Sequence, residues 1–442
     1  MIKQLKSRID SDIHLLELVK GSSVALLLRS IGMLLGYVVS LIVARKYGTQ
    51  GMGIWALTLS YVSIALIFSK AGLDISTMKF IARFKAENDT ASIKGVYWKS
   101  LKIVLFFSLL ISVVFLYLSE ISAIYIFNNA RLSNAFAFAV PMIILLSLIQ
   151  FHAEAIRGYK KIAHYFIING ISTSFVTALL LSLNIDHIWS NYVYIDIYVI
   201  AQCATVVLAI IIWLKDSKIL NHTLKNTIST KKLFESSFPI MIAGSMTLIM
   251  GSMDAIMLGI FKSETDVGIY AIALKLSMLT SIVLIAVNSI LAPKISQMFG
   301  SNDLDNLQNI IRKSTKMIFI ISMPVLVVYF LYPEYVMSFF GEGFKIGASA
   351  LVILAAGQFF NAISGPAGQV LNMTDKEYIL RDTAIIATLA NLILNYVLIP
   401  QYGINGAAIA TAISGILWNL LCVVYIYRKL GILVMYFPFL RV

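Results

Sequence analysis

Gly53-Ile54-Trp55-Ala56-Leu57 returns 215 residues later as Gly268-Ile269-Tyr270-Ala271-Ile272. A polar loop precedes each copy and a long apolar run follows it. The offset is close to half of the 442-residue chain, which points to one structural unit built twice. The same offset carries Arg157-Gly158-Tyr159-Lys160-Lys161 onto Asn372-Met373-Thr374-Asp375-Lys376. It also carries Trp213 to Lys215 onto Arg428 to Leu430. Three landmarks on one offset make coincidence a poor account.

Composition says what the unit is made of. The chain is 59% hydrophobic and 13% charged, with mean hydropathy +0.86. Soluble domains run about 45–50% apolar and about 25% charged, so the solvent for most of this chain is lipid. A membrane-spanning helix needs about 20 largely apolar residues. Twelve runs qualify: 21–44, 52–72, 99–119, 135–156, 163–184, 191–214, 236–260, 267–291, 317–338, 347–371, 380–400 and 404–427. They are continuous, without the period-two alternation of barrel strands. The expected fold is therefore an all-α integral membrane protein with twelve transmembrane helices.

The net charge of +13 is a matter of topology. With the N-terminus inside, 27 of the 35 Lys and Arg residues fall on the inner side. Only Arg45, Lys46, Arg131, Lys262 and Lys345 fall outside. By the positive-inside rule both termini are expected in the cytoplasm. Excess charge then meets anionic lipid, and no nucleic-acid partner is expected. The expected organisation is an amphipathic N-terminal segment at 1–20, an N-lobe at 21–214 and a polar linker at 215–232. A C-lobe at 233–428 and a tail at 429–442 follow. Six spans per half is an even number, so the halves share one orientation. They are expected to be parallel repeats with the substrate site at their interface.

Cys203 and Cys422 lie inside apolar runs without a partner at ligand spacing, so they read as packing residues and no metal is expected. The outer loops are too short for an extramembrane catalytic domain, and no Walker A, GxSxG, HExxH or CxxC motif is present. An enzyme is not expected.

Further motifs resemble a known family. Val43-Ala44-Arg45-Lys46-Tyr47-Gly48, Gly51-Met52-Gly53-Ile54-Trp55 and Ala71-Gly72-Leu73-Asp74 look like the first two helices of bacterial polysaccharide exporters. Asp254-Ala255-Ile256-Met257-Leu258-Gly259 is followed by Asp266-Val267-Gly268-Ile269-Tyr270 and by Asn288, and then by Leu291-Ala292-Pro293-Lys294-Ile295-Ser296. This second set is similar to the seventh and eighth helices of the O-antigen flippase family. The superfamily also holds multidrug/toxin extrusion transporters and the lipid II flippase. The resemblance implies a two-lobed alternating-access flippase in the bacterial cytoplasmic membrane. The implied cargo is an undecaprenyl-pyrophosphate-linked oligosaccharide, moved from inner to outer leaflet. Implied partners are membrane lipids and a polysaccharide polymerase with its chain-length machinery.

Ionisable residues inside spans are costly and point to function. Arg29 lies about nine residues into the first run, about 13 Å deep at 1.5 Å per residue. Lys275 lies at similar depth in the eighth, entering from the opposite side. The two runs belong to opposite halves, so both cations are expected to face a central cavity that holds a pyrophosphate. Arg grips phosphate oxygens bidentately and Lys acts as a point charge. Lys70, near the end of the second run, joins this set, although snorkelling also accounts for it. Asp254 either binds a coupling H+ or Na+ or pairs with Lys275, and both readings stay open. Glu154 is a second coupling candidate, with Arg157 three residues on as a structural partner. Asn391 and Asn395 share one helix face and either bind sugar hydroxyls or join helices.

A cation-coupled multidrug exporter is the first alternative. Its cavity should favour acidic residues and aromatics, whereas the first span offers Arg29. A membrane polymerase or ligase would need a larger outer loop with convergent charged groups.

Overall fold

The computed structural model describes residues 13–183, 191–218, 228–374 and 376–436. Residues 1–12, half of the expected linker and the end of the tail lie outside the described residues. Among those described the chain is helical: α1 (Ile13–Lys70), α2 (Leu73–Ala86), α3 (Thr90–Ile121), α4 (Arg131–Gly158), α5 (Ile162–Ser182), α6 (Val193–Ser217) and α7 (Thr230–Phe261). Then follow α8 (Glu264–Gly300), α9 (Leu304–Leu331), α10 (Pro333–Ser338), α11 (Ala348–Ser364), α12 (Ala367–Met373) and α13 (Glu377–Leu430).

Side chains at the turns start the helices. Asp89 accepts from the Ser92 amide at 3.0 Å, and Asp303 accepts from Asn306 at 3.3 Å. Ser263 and Asp266 cap each other's backbone in a capping box, which satisfies two otherwise orphaned amides at the start of α8. Pro333 opens α10, where its missing N–H costs nothing.

Nine described helices are long and apolar enough to cross a bilayer, or ten when the bent α7 is included. Two of them are too long for one crossing. The apolar stretch of α1 runs 47 residues and α13 runs 54. At 1.5 Å per residue each reaches about 70–80 Å, against a hydrocarbon core of about 30 Å. Each is turned back by one glycine in a left-handed conformation, Gly48 (φ 68°) in α1 and Gly403 (φ 55°) in α13. A residue with a Cβ is strained there. Each therefore counts as two crossings, which gives twelve among the described residues. Leu389, Ile393, Tyr396 and Val397 of α13 are exposed, as lipid-facing side chains are.

The crossings form two lobes, α1–α6 and α7–α13. Their packing is asymmetric along the membrane normal. At the face that holds Gly48, one hydrophobic core crosses the seam, joining Val43, Trp55 and Leu57 to Leu258, Tyr270, Leu276 and Phe344. Toward the opposite face, where α2 lies, the core divides. One part centres on Leu73, Val96, Phe151 and Trp213, and the other on Leu291, Leu307, Val370 and Ile426. The lobes are joined at the Gly48 face, and at the α2 face α7 still packs on the first lobe, with Leu233 in its core and the Ser237 carbonyl against Gly72, while a cavity lies between α1 and α8.

The repeated glycines explain how close the join is. A Cβ on Gly53 would stand 1.6 Å from the Glu264 carbonyl oxygen. A Cβ on Gly268 would stand 2.0 Å from the Thr49 carbonyl oxygen and 2.7 Å from the Gly53 nitrogen. Thr49 and Glu264 are themselves one repeat offset apart. The contact is therefore reciprocal, as contacts across a two-fold axis are. Polar groups fasten its rim. Glu264 accepts from Gln50 at 2.9 Å and Asn129 at 2.8 Å, and Arg45 donates to the Phe339 carbonyl at 2.9 Å.

Candidate functional site

A cavity of about 330 Å³ lies between the lobes, toward the α2 face. Ala25, Leu26, Arg29 and Phe166 line it from the first lobe, and Asn288, Ser289 and Gln369 from the second. Arg29 is exposed there, with no ion pair among the described residues. A guanidinium in this position is a ready anion site. Its planar donors match phosphate or carboxylate oxygens, and its partners in the cavity wall are neutral amides and a hydroxyl.

Lys275 does not share this cavity. It docks two turns further along α1, donating to the Gly36 carbonyl at 2.7 Å and to Ser40 Oγ. Its ammonium lies 5.3 Å from the centre of the Tyr37 ring, and the Tyr37 hydroxyl donates back to the Lys275 carbonyl. In this conformation Lys275 pins α8 to α1 across the seam. Equal depth along two helices did not put the two cations together, because depth carries no information about which way a side chain points around its helix.

Asp254 is buried inside the second lobe. Its carboxylate accepts from Tyr270 and Thr411 at one oxygen, each at 2.6 Å, and from Asn395 Nδ2 at the other, also at 2.6 Å. Asn395 Nδ2 also donates to Asn391 Oδ1 at 3.0 Å, and Asn391 Nδ2 reaches Ser414 Oγ at 3.4 Å. The Asp254 and Asn391/Asn395 candidates thus converge in one cluster built from α7, α8 and both halves of α13. Lys275 is not part of it. Asn395 Oδ1 is buried without a hydrogen-bond partner. Such a group costs about 1–3 kcal/mol unless a ligand or water satisfies it. The cluster offers one carboxylate and several neutral oxygens, and no group of three His, Cys, Asp or Glu occurs among the described residues. That donor set suits a proton or a hard monovalent cation, since hard cations take oxygen ligands.

Tyr270 and Thr411 escaped sequence reading. Tyr270 had a signal: it is the one polar substitution in the second copy of the repeated motif, where the first copy has Trp55. Thr411 sits in a run of small residues and had none.

The remaining candidates lie at the α2 face of the first lobe. Lys70 pairs with Asp74 at 2.9 Å, and Glu154 pairs with Arg157 at 3.0 Å. Arg157 also stacks over Tyr165 at 5.3 Å. Both acids therefore have local cationic partners.

Comparison with known proteins places this architecture. A family profile described as "Polysaccharide biosynthesis protein" matches residues 18–299. The chain belongs to this family. A second profile of the family's wider superfamily, MatE, matches residues 239–397. A probable low-salt glycan biosynthesis flippase of Haloferax volcanii is 29% identical over 37% of this chain, and the match spans 34% of that relative. A putative O-antigen transporter of Shigella flexneri is 24% identical over 86% of this chain and 90% of its own. Among solved structures, a multidrug resistance MATE family transporter in an inward-facing conformation aligns with TM-score 0.75 at 16% identity, covering 92% of this chain and 98% of that one. The lipid II flippase MurJ, inward closed, aligns with TM-score 0.72 at 15% identity over 92% and 87%. The polysaccharide biosynthesis family member described here therefore has the fold of that superfamily, and is a multi-pass membrane protein.

Proposed function

We propose that this protein is a flippase for lipid-linked saccharides. Its cargo is a polyprenyl-pyrophosphate-linked oligosaccharide, moved from the inner to the outer leaflet of the cytoplasmic membrane for surface glycan assembly. The observation that carries the reading is Arg29, an exposed cation in a cleft lined by both lobes. A pyrophosphate needs that sign of charge and an apolar surround to strengthen it. The Lys and Arg distribution supports a cytoplasmic α2 face and cytoplasmic termini. The cleft then receives cargo from the inner leaflet while the Gly53–Gly268 seam is shut outside.

Alternating access follows from the two-lobe geometry. Rocking the lobes would open the seam and release Lys275 from Gly36 and Ser40, turning a structural bond into a free cation on the outer half of the path. Asp254 is the coupling group in this reading. Exchange of a proton or Na+ there changes the charge of a buried cluster that ties α7 and α8 to both halves of α13, and so biases the lobe. The relatives are named as flippases and transporters, and this protein is a transporter, not an enzyme. A cation-coupled multidrug exporter fits less well, because the exposed charge in the cleft is positive.

The test is complementation of a strain lacking the gene with wild type, Arg29→Lys and Arg29→Ala. Arg29→Ala should abolish surface glycan and accumulate lipid-linked precursor while reaching the membrane in normal amounts. Wild-type glycan in Arg29→Ala would overturn the assignment.

A further inference from the structure

A second cavity, of about 220 Å³, opens within the second lobe next to the Arg29 cleft. Asn288 and Gln369 line both, so the two spaces adjoin. Asn361, Asn372 and Asn419 supply further amides, and Trp418 supplies an aromatic face. No charged side chain lines it among the described residues. Gly368 keeps the ring uncovered, since an added Cβ there would already touch its edge at 3.4 Å. Two polar atoms are buried without a partner, the Trp418 indole nitrogen and Asn288 Oδ1. One is a donor and the other an acceptor.

We infer that this cavity is a subsite for an uncharged pyranose, the sugar next to the pyrophosphate held at Arg29. The inference rests on the flippase reading and sharpens its substrate class. A sugar hydroxyl both donates and accepts, so it answers an orphaned indole N–H and an orphaned amide oxygen alike. Amides pair with hydroxyls in the same two-way fashion. The Trp418 face suits the C–H edge of a sugar ring, as aromatic surfaces combine apolar area with a polar handle. A uronic acid would enter a pocket without a cation, and its buried charge would lack compensation. The adjoining Arg29 is the only charged group lining either cavity among the described residues, and the pyrophosphate occupies it.

Binding to purified protein in nanodiscs tests this. The probes are farnesyl pyrophosphate alone and farnesyl pyrophosphate bearing galactose, N-acetylglucosamine or glucuronic acid. In wild type at least one neutral-sugar probe should bind about tenfold more tightly than the bare or glucuronic acid probe, because a site built to hydrogen-bond hydroxyls rejects ligands that lack them. Trp418→Ala should erase that preference and leave farnesyl pyrophosphate affinity unchanged. Asn372→Ala, at an exposed position, should reduce it, and Gly368→Leu should erase it by filling the cavity. Arg29→Ala should weaken every probe. Equal binding of all probes in wild type, or a preference untouched by Trp418→Ala and Gly368→Leu, overturns the sugar subsite and leaves the flippase reading standing. Failure of every probe to bind overturns both.

Discussion

Gly268→Ala tests the seam most directly. The new Cβ stands 2.0 Å from the Thr49 carbonyl oxygen and 2.7 Å from the Gly53 nitrogen. Both are backbone atoms, so no rotamer change makes room. Restoring a contact of about 3.5 Å requires the lobes to part by about 1 Å or more at the Gly48 face. Overpacking of this kind costs about 1–3 kcal/mol, which shifts a two-state equilibrium by about 5- to 150-fold. The protein should leave the conformation closed at that face. Spin labels at Asn128 and Glu342, exposed positions on opposite lobes at the same face, report the change by double electron–electron resonance in nanodiscs. The wild-type distribution should be dominated by a short distance and the variant by a longer one. Gly53→Ala should do the same, because its Cβ meets the Glu264 carbonyl oxygen at 1.6 Å. The double variant should shift less than the sum, since either substitution alone has already separated the two surfaces. An unchanged distribution in both single variants would refute the reciprocal backbone contact.

Three further outcomes follow from the side chains. Asp254→Asn should leave the protein in the membrane but remove the response of vesicle transport to an imposed proton or Na+ gradient; a variant as responsive as wild type would take Asp254 out of coupling. Lys275→Ala should abolish surface glycan at normal membrane levels, and wild-type glycan would confine Lys275 to holding α8 on α1. Glu154→Gln should keep glycan export within about twofold, because a pair with a partly exposed Arg157 contributes about 1 kcal/mol or less; complete loss of export would restore Glu154 as a coupling group.

The scaffold was legible because its signals are one-dimensional. Apolar run length gives crossings, and a fixed offset gives the repeat. The two glycine turns at Gly48 and Gly403 were visible only as brief polar interruptions, yet the spans they separate were counted correctly. The site was legible in part. Arg29 and Asp254 stood out because charge in lipid is rare. Their surroundings did not, because Asp254, Tyr270, Asn395 and Thr411 come together only through the packing of α7, α8 and α13. Lys275 shows the limit most clearly. Hydropathy gives its depth, but its bond to Gly36 depends on how α8 is rotated against α1, and that is set by the seam.

The seam also bears on how such a duplicated chain can change over time. Wherever the halves face lipid or their own interior, each can drift without regard to the other, as Asp254 inside the second lobe illustrates. On the axis that freedom ends. Gly53 abuts the neighbour of its own copy, and Gly268 does the same in return, so a side chain gained in either half strikes the other half's main chain. The few residues that still betray the duplication are the ones that two former equals must keep in common in order to touch.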